Sequence, residues 1–133
     1  MKRLVGMLFG FSVVLAGAMA FAQAPPVADT FVSDAKSSTN YGGNASLAVQ
    51  SGGGGTAFVQ FNLSSLPSGV MPNQLNKATL KLFVSGLTAA GTFDVFFVNG
   101  AWNENNVTYA SAPTLGASVA TAVPVAASVG ALA

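Results

Sequence analysis

Few residues in this chain are suited to catalysis. The acidic side chains are Asp29, Asp34, Asp94 and Glu104, and there is no His and no Cys. The commonest general base, the commonest zinc ligand and every thiolate are therefore missing. A glycosidase needs two carboxyls about 5–9.5 Å apart across the scissile bond, whereas these four fall on separate strands and loops. A serine hydrolase would need a base and an elbow motif that the sequence lacks. No enzymatic activity is expected. Asp29, Asp34 and Asn40 carry oxygens of the kind that hold a structural calcium ion. Their spacing matches no calcium loop, and such an ion takes about six to eight oxygens, so they are weak candidates and no cofactor is expected.

Residues suited to binding are concentrated in 101–113, which reads AWNENNVTYASAP and holds the only Trp (Trp102), the only Glu (Glu104) and one of the two tyrosines, Tyr109. Aromatic rings stack on the apolar faces of sugars, and amides and carboxylates bond the hydroxyls. Each residue also has an ordinary role. A lone Trp beside a β-core usually closes it, with its N–H on a backbone carbonyl. Glu104 is suited to accepting from backbone N–H groups of its own loop, the usual way such a carboxylate is satisfied.

The elements that must position these residues are strands. Past residue 26 the apolar pattern has period two with breaks and nowhere the period of a helix. Residues 27–32 read as a first strand at a sheet edge, because Pro25 and Pro26 cannot donate to a ladder. Residues 37–44 are rich in Ser, Asn and Gly, as a turn requires, and 46–51 read as a second short strand. The four glycines 52–55 lack the Lys and the helix of a phosphate loop and read as a hairpin connection. Three alternating segments follow, 56–63, 76–85 and 92–99, and a late strand is expected near 118–125. The fold class is all-β, an antiparallel β-sandwich resembling a jelly roll.

In those three segments Ala57, Val59, Phe61 and Leu63 share one face, as do Ala78, Leu80, Leu82 and Val84, and Phe93, Val95 and Phe97. The opposite face carries Phe58 beside Gln60 and Asn62, then Phe83, then Phe96 beside Asp94. A loop or second sheet would cover these rings, or the strands lie in different sheets; otherwise they form an aromatic platform for sugar rings. The candidate ligand-binding set is therefore Phe58, Gln60, Phe83, Phe96, Trp102 and Tyr109.

The N-terminus reads as a bacterial export signal. Lys2 and Arg3 precede an apolar run from 4 to 18, and Ala20-Phe21-Ala22 places small residues where a signal peptidase reads them. Cleavage is expected after Ala22, with Ala20 as second choice, leaving 23–26 as a lead-in, 27–125 as the domain and 126–133 as a small apolar tail. The full chain has a net charge of +1; without Lys2 and Arg3, three lysines face four acidic residues, a net of −1. A nucleic-acid partner is not expected on such a surface.

Several pieces of the chain resemble one family. They are Ala28-Asp29-Thr30-Phe31-Val32, Asn40-Tyr41-Gly42, the segment from Phe58 to Pro67, Lys77-Ala78-Thr79-Leu80-Lys81-Leu82, and Trp102-x-Glu104-x-x-Val107-Thr108-Tyr109-x-x-x-Pro113. In this order and spacing the chain resembles the DNRLRE-type domain, described as a carbohydrate-binding module and as a disaggregatase-related repeat. The resemblance implies a secreted β-sandwich that binds a polysaccharide or cell-surface glycan without cleaving it. The alternative is a structural or adhesive surface repeat with no glycan affinity. Some members are described as binding acidic polysaccharides such as alginate. The family usually carries a basic residue and an Asp where this chain has Gln60 and Asn62. If that basic residue meets a uronate carboxylate, the contact is expected to be missing here. Family members also continue beyond the position of Ala133 with further strands. The chain is accordingly expected to be a fragment, or to pair an open edge with another domain or chain.

Overall fold

The computed structural model describes residues 23–71, 77–125 and 130–132, the last three by backbone alone. The expected export signal, residue 76 and most of the tail lie outside these residues.

The described residues include six strands: β1 Pro26–Ser33, β2 Gly55–Phe61, β3 Leu82–Val84, β4 Gly91–Asn99, β5 Thr114–Val125 and β6 Gly130–Leu132. All pairings are antiparallel, in three two-stranded ribbons: β1 with β2, β4 with β5, and β3 with β6. The all-β class expected from the period-two pattern holds. Among the described residues the only helices are short 3₁₀ turns, and none is long and apolar enough to cross a membrane.

The β1–β2 ribbon carries the core. Thr30 lies opposite Phe58 in register, and Thr30, Val32 and Phe58 are the largest fully buried side chains. Val107 joins Val32 and Phe58 from the 101–113 loop, with Val98, Trp102 and Ala112 packed against them. The buried face of β2 is therefore that of Phe58. For Phe58 the reading that a loop covers the ring holds, while on the face shared by Ala57, Val59, Phe61 and Leu63 the Phe61 side chain is exposed and Leu63 more so. Alternation reveals which residues share a face, not which face is covered. Here the covering element is a loop that leaves no periodic trace.

The expected strand at 46–51 is mostly irregular, with only an isolated bridge from Gln50 to Gly55. Val49 is 60% exposed, because no neighbouring strand covers that stretch. The Gly-rich connection turns tightly: Gly52 and Gly53 take positive φ (70° and 79°), a conformation that costs glycine little. The 76–85 segment is extended in a ladder only at β3, where Leu82, Phe83 and Val84 pair with Leu132, Ala131 and Gly130. That pairing puts Gly130–Leu132 of the apolar tail in a strand. The late strand begins earlier than expected, at Thr114.

Candidate functional site

The 101–113 loop leaves β4 through Gly100, which has a φ of 91°. Its polar residues first close local turns. The Asn103 side-chain oxygen accepts from the Asn105 N–H at 2.8 Å, and its carbonyl accepts from Asn106 and Val107. This is the Asx-turn chemistry that favours Asn at such positions. A capping box follows: Ser111 Oγ accepts from the Thr108 N–H at 3.0 Å at the start of the 3₁₀ turn Tyr109–Ser111.

Tertiary braces then fix the loop, among them a backbone bond from the Ala110 N–H to the Ser37 carbonyl at 3.0 Å. The Asn40 side-chain amide donates to the carbonyls of Glu104 and Val107, each at 2.7 Å. Asn40 Oδ1 accepts from the Gly42 N–H at 3.2 Å, and a Cβ on Gly42 would collide with the Glu104 carbonyl. The Glu104 side chain crosses to β1, where Oε2 accepts from the Asp29 N–H at 3.1 Å. That N–H points away from β2 and would otherwise be an open-edge donor. Glu104 thus bonds backbone N–H, but in a strand 75 residues away and not in its own loop. Beside the braces, Phe31 stacks on Tyr41 with ring centroids 4.2 Å apart. The motif pieces around Asp29, Asn40 and Glu104, far apart in sequence, form one joint.

Of the candidate ligand-binding residues, the fold brings together Trp102 and Gln60. Trp102 is half-buried with its ring tilted 47° to Phe58 at 5.8 Å, and its N–H meets no acceptor among the described residues. It walls two shallow clefts. One, of about 330 Å³, is bordered by Gln60, Trp102, Asn103, Glu104 and Asn105 with Val27 and Ala28 of β1. The other, of about 320 Å³, lies toward Asn106 and Ser111. Phe58 sits beneath the indole at 2% exposure and offers no face to a ligand. Phe83 is 75% exposed on β3, and Phe96 is half-buried on β4 opposite Ser118. Phe58, Phe83 and Phe96 thus belong to three different ribbons, so they do not form one aromatic sheet face. Tyr109 is exposed at the turn beyond both clefts.

Asn103 and Asn105 were not singled out from the sequence. The density of Asn between Trp102 and Val107 was the available signal, and only the turn shows which side chains reach the cleft. The weak calcium candidates do not converge. Asp29 and Asp34 are separated by roughly 15 Å of largely extended chain, Asp34 lies against Gly54, and the Asn40 amide is engaged in bracing. Among the described residues no three His, Cys, Asp or Glu side chains gather.

An aromatic wall, three side-chain amides and one carboxylate suit hydroxyl-rich ligands with apolar ring faces. A family model described as carbohydrate-binding module family 96 matches residues 20–129. That description differs from the DNRLRE label, and the carbohydrate-binding module class is common to both. No curated protein and no solved structure matches the chain.

Proposed function

We propose that this chain, which belongs to carbohydrate-binding module family 96, is an exported, non-catalytic polysaccharide-binding protein whose contact surface is the cleft beside Trp102. The observation that carries the reading is that the indole, Gln60 and the Asn103–Asn105 turn line one cleft. The half-buried ring lines the cleft together with Gln60, Asn103 and Asn105, whose amides can donate to and accept from sugar hydroxyls. Glu104 uses one oxygen on β1, and Oε1 has no partner among the described residues and is free to accept from a hydroxyl. The basic start and apolar run of residues 1–22 support export, and the scarcity of acid–base side chains supports binding without cleavage.

Affinity electrophoresis through gels containing soluble polysaccharides tests the reading. At least one polysaccharide is expected to retard the protein. Gln60→Ala and Asn105→Ala, both at exposed positions, are expected to weaken retardation several-fold each while leaving the fold intact by circular dichroism. Retardation by none of a broad panel would assign the chain to a structural surface role. New reducing ends after incubation would overturn the non-catalytic reading. Mass spectrometry of the exported product is expected to find Gln23 at its N-terminus.

A further inference from the structure

The 101–113 loop carries more binding chemistry than the Gln60 cleft uses. We infer that the second cleft at Trp102, toward Asn106 and Ser111, is a further sugar subsite, so that the protein holds an internal run of a polysaccharide chain across the indole. This rests on the proposed binding function and specifies how much of the chain is held. The two clefts are neighbours, because Trp102 and Asn103 line both. Their volumes are nearly equal, about 320 and 330 Å³, each near the lower bound for a small-molecule site. A binder of chain ends needs one such pocket. Two of them along a shared wall suit a run of sugars.

The turn after Trp102 divides its amides between the clefts. The Asn103 carbonyl accepts from the N–H groups of Asn106 and Val107, which closes a single helical turn. Asn105 then lines the Gln60 cleft and Asn106 the second one, while Asn103 borders both. The Asn103 side-chain oxygen is engaged by the Asn105 N–H at 2.8 Å, and its NH₂ is left over at the shared wall. Neither that NH₂ nor the Asn106 side-chain amide has a partner among the described residues, and both residues are exposed. The fold therefore uses neither group, and each can exchange hydrogen bonds with sugar hydroxyls. On the other side of the second cleft, Ser111 Oγ is held by the Thr108 N–H and hydroxyl. That wall is fixed before a ligand arrives, which lowers the ordering cost of binding.

The test titrates the fluorescence of Trp102, the only Trp, with oligosaccharide ladders from dimer to octamer cut from mannan, xylan, a β-glucan and alginate. For a ladder that binds, affinity is expected to rise about tenfold or more from the dimer to the length that fills both clefts, and then to level off. Asn106→Ala is expected to weaken the long oligomers about two- to tenfold, the scale of one or two hydrogen bonds. It is expected to leave the dimer unchanged, because the dimer sits in the other cleft, where Gln60, Asn105 and Glu104 Oε1 offer more partners. Gln60→Ala is expected to weaken every length. Ala101→Leu fills the second cleft from an exposed position and keeps the amides, and it is expected to act as Asn106→Ala does. Affinity that levels off at the dimer overturns the second subsite and leaves polysaccharide binding standing. Losses with Asn106→Ala that are equal at every length do the same, by assigning Asn106 to the shape of the loop. Binding to none of the ladders and none of the parent polysaccharides overturns both.

Discussion

Asn40 and Gly42 are small polar positions with a large structural role. One Asn side chain holds two carbonyls of the 101–113 loop, and one glycine allows the chain to pass against the Glu104 carbonyl. Asn40→Ala leaves both carbonyls without their donor and is expected to lower stability by about 1–3 kcal/mol in denaturant unfolding. Gly42→Ala forces backbone against backbone, and a loss of about 1–3 kcal/mol is expected from the displacement. Because both substitutions act on the same joint, their effects are expected to be less than additive in a double-mutant cycle. Phe58→Ser removes the ring at the centre of the core and buries a hydroxyl in its place. Loss of about 3–5 kcal/mol is expected, enough to unfold a small domain. Had Phe58 formed part of an exposed platform, the same substitution would have left a folded protein.

The β4–β5 ribbon shows how an element absorbs a mismatch in length. Nine residues of β4 face twelve of β5, and three one-residue register shifts on the β5 side make up the difference. Each bulge bends the strand and increases its twist. At the first, Asp94 Oδ1 accepts from the Ala122 N–H at 2.7 Å, and Ala122 takes a φ of 53°. That conformation is unfavourable for a residue with a Cβ. Ala122→Gly is therefore expected to raise the melting midpoint, by about 0.5–1 kcal/mol of stability, whereas Asp94→Ala is expected to lower it by about 1 kcal/mol through loss of the bulge's bond. A rise in stability with Asp94→Ala would show that the bulge is held by the ladder alone.

In the molecule as a whole, burial among the described residues is concentrated in one cluster. The fully buried residues lie where β1, β2 and the 101–113 loop meet, and Val98 ties the β4–β5 ribbon to them. The β3–β6 ribbon has three residue pairs and an exposed Phe83. Short ladders with little buried apolar surface open first. Amide hydrogen exchange is expected to be slowest at Thr30, Val32 and Phe58 and fastest in β3. Trp102, the only Trp and packed on Phe58, makes indole fluorescence a reporter of the joint. Its unfolding transition is expected to shift with Asn40→Ala, whereas a change in β3 such as Phe83→Ser is expected to leave it nearly unmoved.

Much of this was legible in the residues. The all-β class follows from period-two alternation, because a strand turns successive side chains to opposite faces whatever its neighbours are. β1, β2 and β4 fall close to where alternation placed them, and the absence of His and Cys bounds the chemistry in any fold. The strand expected at 46–51 fails for a non-local reason: a strand requires a partner, and the ladder there amounts to one bridge. The choice of the Phe58 face as the buried one, the reach of Glu104 to β1 and the meeting of Gln60 with Trp102 depend on where the 101–113 loop lands. Its landing is set by contacts between residues some 60 to 75 positions apart. Alternation and spacing are local quantities and carry no record of such contacts. The loop that concentrates the rare residues is therefore both the lid of the core and, with Gln60, one wall of the cleft, a double role that only the folded chain displays.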